Sequence, residues 1–290
     1  MFFLQQLING LAQGSIYSLM AIGLAVIIGV VGLVSFVNGE VIMVGAVASY
    51  LAITYLTPNP ILAVLAGMLA AAVMGIAVEY ICYRPFRKSK TNNALIATIG
   101  LSIFAKSLMQ VIFGTEQKFM PDLLGTSVIV MGDLRISYVQ IMIIAIVIAL
   151  SALLQLVLYR TRTGVALRAV SMDKTAAALL GVNVNRTVLI GNAIGCALGG
   201  VAGVLIGIYY NSVYALLGAS VAMKAFASVV FGGLTSIPGA AVGGLVLGVI
   251  ENMAVTLFSS GYKDIVAFIV IILILVIKPS GILGRKGVGI

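Results

Sequence analysis

Long apolar runs follow one another along almost the whole of this chain, and few folds accommodate them. A helix rises about 1.5 Å per residue and the hydrocarbon core of a bilayer is about 30 Å thick, so one crossing needs about 20 mostly apolar residues. Breaks in the pattern give nine such stretches, at about 4–31, 35–56, 61–82, 93–113, 138–159, 187–210, 219–235, 239–258 and 264–278. Composition agrees: 62% of the 290 residues are hydrophobic and 9% are charged, against roughly a quarter charged in an ordinary soluble domain. A water-facing surface cannot be assembled from so few charges. The expectation is an all-α integral membrane protein, a single transmembrane domain over 1–290 built as a bundle of about eight or nine transmembrane helices, some of them broken or re-entrant.

The breaks have a chemical logic. Thr57-Pro58-Asn59-Pro60 stops a helix because proline donates no backbone hydrogen bond and pushes the preceding residue out of helical geometry. Arg84, Arg87, Lys88 and Lys90 crowd a second break, and Arg160, Arg162, Arg168, Lys174 and Arg186 a third. Both read as cytoplasmic by the positive-inside rule. Counting crossings from them puts 114–137 outside, where Glu116, Asp122 and Asp133 outnumber Lys118 and Arg135, and the C-terminus inside with Lys278, Arg285 and Lys286. Twelve basic residues then lie inside and three outside, the third being Lys263. The net charge of +9 is therefore read as membrane topology and contact with lipid, not as a nucleic-acid surface. The N-terminal run has no basic segment before it, so a cleaved signal peptide is not expected. Between eight and nine crossings the count stays open: 1–56 holds a single charge, Glu40, and 219–235 is short and holds Lys224. Gly32-Leu33-Val34-Ser35-Phe36 followed by Gly39 also echoes Gly233-Leu234-Thr235-Ser236-Ile237 followed by Gly239, as in proteins made of two related halves with interrupted helices.

Ionisable groups at bilayer depth are costly, about 2.5 to 3.5 kcal/mol each at the centre of a span on the lenient insertion scale. Asn38, Gly39, Glu40, Lys106, Lys224 and Glu251 are the candidates for an aqueous route, with Gln110, Asn192 and Asn252 beside them. Glu40 or Glu251 is expected to pair with Lys106 or Lys224. The plainer alternatives are snorkelling to the headgroups and simple helix-to-helix adhesion. Asn38-Gly39-Glu40 stands out as a polar, flexible tripeptide between two apolar runs. Cys82 and Cys196 lie in apolar stretches and read as unpaired packing residues, with no metal-ligand spacing.

Enzyme chemistry is not expected. The chain has no histidine and no Gly-x-x-x-x-Gly-Lys-[Ser/Thr] phosphate loop, so it offers no Ser/His/Asp set and no such ATP site. Residues 160–186 form the one sizeable cytoplasmic element. Val165, Leu167, Ala169 and Val170 precede an Asp173-Lys174-Thr175 break, after which Ala176 to Leu180 favour a second helix that Asp173 can cap and Gly181 can end. Such an element suits docking of a partner that pushes on the bundle, or a helix resting on anionic lipid through Arg162, Arg168 and Lys174.

Thr175-Ala176-Ala177, three residues and Gly181 resembles the Glu-Ala-Ala-x-x-x-Gly loop of ABC importer permeases, with threonine where glutamate is usual. Longer strings resemble the LivH-type permeases of branched-chain amino acid ABC importers from end to end. They are NGLAQGSIYSLMAIGL near the start, SFVNGEVIMVGA at 35–46, EYICYRPFR at 79–87, RTRTGVALRAVSMDKTAAALLGV at 160–182, MKAFASVVFGGLTSIPGAAVGGLVLGVIE at 223–251 and YKDIVAF…KPSGILGR through 285. Many members carry histidine where this chain has Asn38, so no role of that ring transfers. The resemblance implies a multi-pass permease of the bacterial plasma (inner) membrane, translocating leucine, isoleucine and valine delivered by an external substrate-binding protein. It implies a second permease subunit, paralogue or second copy, and two cytoplasmic ABC ATPase subunits that use ATP and Mg, no cofactor being bound by this chain. By position, Arg168, Asp173, Thr175, Ala176, Ala177 and Gly181 would belong to the ATPase-coupling loop. Urea, short amides or other amino acids remain open as substrates, and an ion-coupled secondary transporter is the reading from a different class.

Overall fold

The computed structural model describes residues 2–87, 91–121, 128–131, 134–257, 263–278 and 281–283. Of the charges used above to assign sides, Lys88, Lys90, Asp122, Asp133, Arg285 and Lys286 lie outside them. The architecture is helical: α1 (Phe2–Val31), α2 (Asn38–Tyr55), α3 (Pro60–Val78), α4 (Thr91–Phe113), α5 (Tyr138–Arg160), α6 (Arg162–Met172), α7 (Lys174–Leu179), α8 (Val184–Tyr209), α9 (Leu217–Gly232), α10 (Ile237–Leu257) and α11 (Lys263–Ile277). Nine of these fall on the nine apolar stretches, and α6 and α7 occupy the loop between the fifth and sixth. Among the described residues six helices are long and apolar enough to cross a membrane, and α9 is a shorter apolar helix.

Local chemistry sets the boundaries. Asn59 caps α3, its side chain accepting from Ile61 N, with Pro60 at the first helical position where no donor is lost. Ser137 and Gln140 form a reciprocal capping box on α5. The third span, expected as one continuous helix, finishes instead as a π-helical turn, Glu79–Tyr83, a local widening that re-aims the side chains it carries.

Burial is graded. α1 is enclosed along nearly its whole length and α8 over most of it, whereas α3, α4 and α5 turn most of their residues outward. Their outward residues are Ile96, Ile103, Val111, Leu153 and Leu156, so the exterior is apolar and suits lipid. Inside, helices approach through small residues. A Cβ on Gly45 would overlap the backbone of Gly200, one on Gly67 would strike Gly45 and Val204, and one on Gly248 would overlap Gly14.

Two short antiparallel ladders mark one end of the bundle. β1 (Lys118–Phe119) pairs with β4 (Ser212–Val213), and β2 (Val128–Met131) pairs with β3 (Leu134–Ser137). The start of α1 is tied to the same end, because Gln5 Nε2 donates to the Arg135 carbonyl at 2.8 Å and Arg135 N donates to Gln5 Oε1 at 2.9 Å. At the opposite end Lys174 meets the last carbonyl of α1, and Arg87 bonds Asn185. The hairpins and the α6–α7 loop thus lie at opposite ends of the bundle.

Candidate functional site

Three polar places stand out in this apolar molecule. The first is the start of α2. α1 ends with Gly32 in the left-handed region at φ +79°, a conformation that favours glycine, and the chain then re-enters the bundle before α2 begins at Asn38. The depth can be read against α8. Val30 packs beside Gly191, whereas Asn38 Oδ1 lies 4.0 Å from a Cβ built on Gly199, eight residues or about 12 Å further along that helix. α2 therefore starts inside the bundle, as a broken helix. Gly39 is pressed against the first turn of α9: a Cβ on Gly218 would lie 2.7 Å from the Gly39 carbonyl oxygen and 3.1 Å from Glu40 Oε2. Asn38 and Glu40 are buried. Glu40 Oε1 accepts from Ser102 Oγ at 3.3 Å, and Lys106, one turn further along α4, attracts the same carboxylate. Asn38 Oδ1 and Glu40 Oε2 have no hydrogen-bond partner among the described residues. Buried acceptors and the orphan N–H groups of a helix N-terminus thus lie together at depth.

The second place lies among α1, α9 and α10. Lys224 Nζ is 3.4 Å from Glu251 Oε2, and that oxygen also accepts from Tyr17 OH at 2.8 Å and Gln13 Nε2 at 3.1 Å. Asn252 Nδ2 donates to Gln13 Oε1 at 2.9 Å, and Lys224 Nζ sits 5.6 Å from the centroid of the Tyr17 ring. The expected acid–base pairs thus resolve into Glu251 with Lys224 and Glu40 beside Lys106, in two separate clusters. Gln13 and Tyr17 escaped sequence reasoning. Their i, i+4 spacing on α1, the most enclosed helix, was the available signal.

The third place is the loop end. Thr161 caps α6, its Oγ1 accepting from Gly164 N, and Leu167 and Val170 bury its inner face. Asp173 caps α7, its Oδ1 accepting from Thr175 N at 2.7 Å and Ala176 N at 3.0 Å. Gly181 closes α7 at φ +83°, with Gly181 N bonding the Ala178 carbonyl and Val182 N the Ala177 carbonyl. Of the six loop residues singled out, Ala177 is buried, Asp173, Thr175, Ala176 and Gly181 are exposed, and the Arg168 guanidinium lies 4.8 Å from the centroid of the Tyr159 ring. Met172, Leu179 and Leu180 are each more than four-fifths exposed, apolar side chains on an otherwise basic loop.

Beneath the loop is a cavity of about 330 Å³ lined by Val31, Gly32, Tyr83, Arg87, Lys174 and Val188, among others. Lys174 is exposed as a residue, yet its Nζ donates to the Val31 carbonyl at 2.5 Å. Burial of that ammonium, and next the Arg87 charge, hold Lys174 below the ordinary lysine range, with Glu79 pulling the other way. Arg87 bonds both Glu79 Oε1 and Asn185 Oδ1.

Residues 6–275 match the family model of the branched-chain amino acid transport system, permease component. The chain is 39% identical over 298 residues to the high-affinity branched-chain amino acid transport system permease protein BraD of Pseudomonas aeruginosa, covering 99% of this chain and 97% of the relative. It is 37% identical over 300 residues to the permease protein LivH of Escherichia coli K12, with the same coverage. It is 26% identical over 301 residues to the ribose import permease protein RbsC of the same organism, covering 96% and 87%.

Proposed function

The chain belongs to the family of branched-chain amino acid transport permease components, and from that premise we propose that it is the membrane-spanning permease subunit of an ATP-driven importer for leucine, isoleucine and valine. An external binding protein delivers the amino acid. A second permease subunit, paralogue or second copy, completes the path, and two cytoplasmic ABC ATPases using ATP and Mg drive it. In this reading the loop end faces the cytoplasm of a bacterium, the hairpin end faces outward across the inner membrane, and the C-terminus lies inside.

One observation carries the reading: the exposed apolar side chains of Met172, Leu179 and Leu180, at the ends of α6 and α7 at the loop end of a lipid-facing bundle. A loop resting in water has no use for such side chains, and a partner that covers them acquires a hold on the bundle. The path runs past Asn38, Gly39 and Glu40 at the start of α2, with Lys106 beside them. Lys224 and Glu251 hold α9 to α10 along its flank. The broken start of α2 and the first turn of α9, in contact at Gly39 and Gly218, provide the hinge that alternating access requires.

A second reading of the cargo is urea, short amides or other amino acids; its support is only that a related permease is named for a cargo as unlike leucine as ribose. Uptake of radiolabelled leucine into proteoliposomes tests both, comparing this chain alone with the full set of partner permease, ATPases and binding protein. Uptake is expected only with the full set and internal ATP. Competition by valine, urea and amides then ranks the cargo. Uptake by this chain alone in an ion gradient would overturn the proposal in favour of a secondary transporter.

A further inference from the structure

α1 and the α6–α7 loop are far apart in sequence, yet one side chain joins them. Lys174 opens α7, directly after the residue that caps it, and its ammonium donates to the carbonyl of Val31, the last residue of α1. The final carbonyls of a helix have no partners within it and carry the negative end of its dipole, so a cation there is held by charge as well as by the hydrogen bond. Seven residues on begin Asn38, Gly39 and Glu40, the polar start of the broken helix. A second, apolar contact backs the first, because Leu167 of α6 abuts the small patch made by Gly191 and Val30.

An alternative seat for that ammonium lies on Glu79, the partner of the cavity-lining Arg87. Glu79 is buried in the π-helical turn. Its Oε1 is taken by Arg87, but its Oε2 has no hydrogen-bond partner among the described residues. Its charge already acts on Lys174. A lysine has three donors on a flexible stem and can exchange one acceptor for another as α7 shifts. Hydrogen bonds fail beyond about 3.5 Å, so the two seats are discrete arrangements.

Resting on the permease reading above, we propose that Lys174 is a positioning residue that transmits movement of the ATPase-facing loop to the α1–α2 break, by exchanging the Val31 carbonyl for Glu79 Oε2. When α7 is pushed, α1 loses the cation that caps it and the 32–37 segment is released, which moves the start of α2 against α9.

The test is import per ATP hydrolysed, measured together in proteoliposomes holding the complete transporter, for the wild type, K174M and K174R. Methionine preserves the stem and removes the charge, and arginine restores the charge. K174M is expected to assemble and hydrolyse ATP within about twofold of the wild type while importing about tenfold less, the factor that about 1.4 kcal/mol of charge-assisted hydrogen bonding represents. K174R is expected to recover most of the import. In K174M, amide hydrogen exchange should rise over residues 31–40 and not in α8. An unchanged import-to-hydrolysis ratio in K174M overturns the proposal, and so does loss of hydrolysis in step with import, which would make Lys174 a docking residue only. Absence of ATP-dependent import by the wild-type complex would instead overturn the permease reading itself.

Discussion

Replacing Lys224 by methionine removes the cation beside Glu251 while keeping the length of the side chain. The separation of 3.4 Å corresponds to about 5 kcal/mol of attraction at an effective dielectric of about 20. Much of that is offset by the cost of taking both charges out of water, so the pair as a whole adds little to stability. Breaking it is another matter. Glu251 is fully buried, and Lys224 is 18% exposed. K224M leaves the carboxylate in place with its bonds from Tyr17 and Gln13 but without its cation, and removing one partner of a buried pair costs about 3–5 kcal/mol. E251Q should cost less, because the partly exposed ammonium can turn toward water. In K224M/E251Q the amide can still accept from Tyr17, so the double variant should regain at least about 2 kcal/mol over K224M. Equilibrium unfolding of the four proteins in mixed micelles gives the coupling energy directly. A K224M cost below about 1 kcal/mol, or a double variant no more stable than K224M, would refute the assignment of this cluster as a buried ion pair that holds α9 to α10.

E40Q keeps the size of the side chain and its acceptor for Ser102 but removes the charge, and is expected to lower leucine uptake at least about tenfold with little loss of stability; unchanged uptake would remove Glu40 from the path. Leu179 is 85% exposed, so L179D should leave the melting temperature within a degree or two, because surface substitutions cost about 0.5 kcal/mol at most, yet release the ATPase subunits in a pull-down. Retention of them at wild-type stoichiometry would count against docking at these side chains. Lys174 is held below the ordinary lysine range by burial and Arg87, against the pull of Glu79; since rising pH removes the charge of such a lysine before that of an exposed one, import per ATP should fall at alkaline pH in the wild type. The guanidinium of K174R does not titrate there, so its profile should be flat, and parallel profiles would contradict the role given to the ammonium.

Much of the molecule was legible because lipid simplifies the reading. Where no water competes, a backbone must satisfy its own hydrogen bonds, and apolar length alone then locates each helix. Among the described residues each of the nine apolar stretches became a helix. The cap at Asp173 follows from short-range chemistry that tertiary contacts do not override. The echo between 32–39 and 233–239 also acquires a structural counterpart, since Gly32 and Gly233 each end a helix at positive φ. The π-helical turn at Glu79–Tyr83 was not legible, because the same apolar string suits either winding and the choice rests on what Glu79 must reach.

Partnership was the part the residues alone left open. The sequence showed four ionisable groups at depth but not which acid meets which base, because pairing depends on how helices distant in the chain are rotated and set against one another. It showed a basic loop with a capped second helix, but the grip of Lys174 on Val31 joins residues 143 positions apart, a contact that no local pattern encodes. Apolar length and capping are properties of one segment and its solvent, and these the sequence determined by itself: a membrane bundle and a structured loop at one end. The broken start of α2 at depth, the Lys224–Glu251 cluster and the link from loop to membrane break exist only where distant segments close on each other, and packing alone decided them.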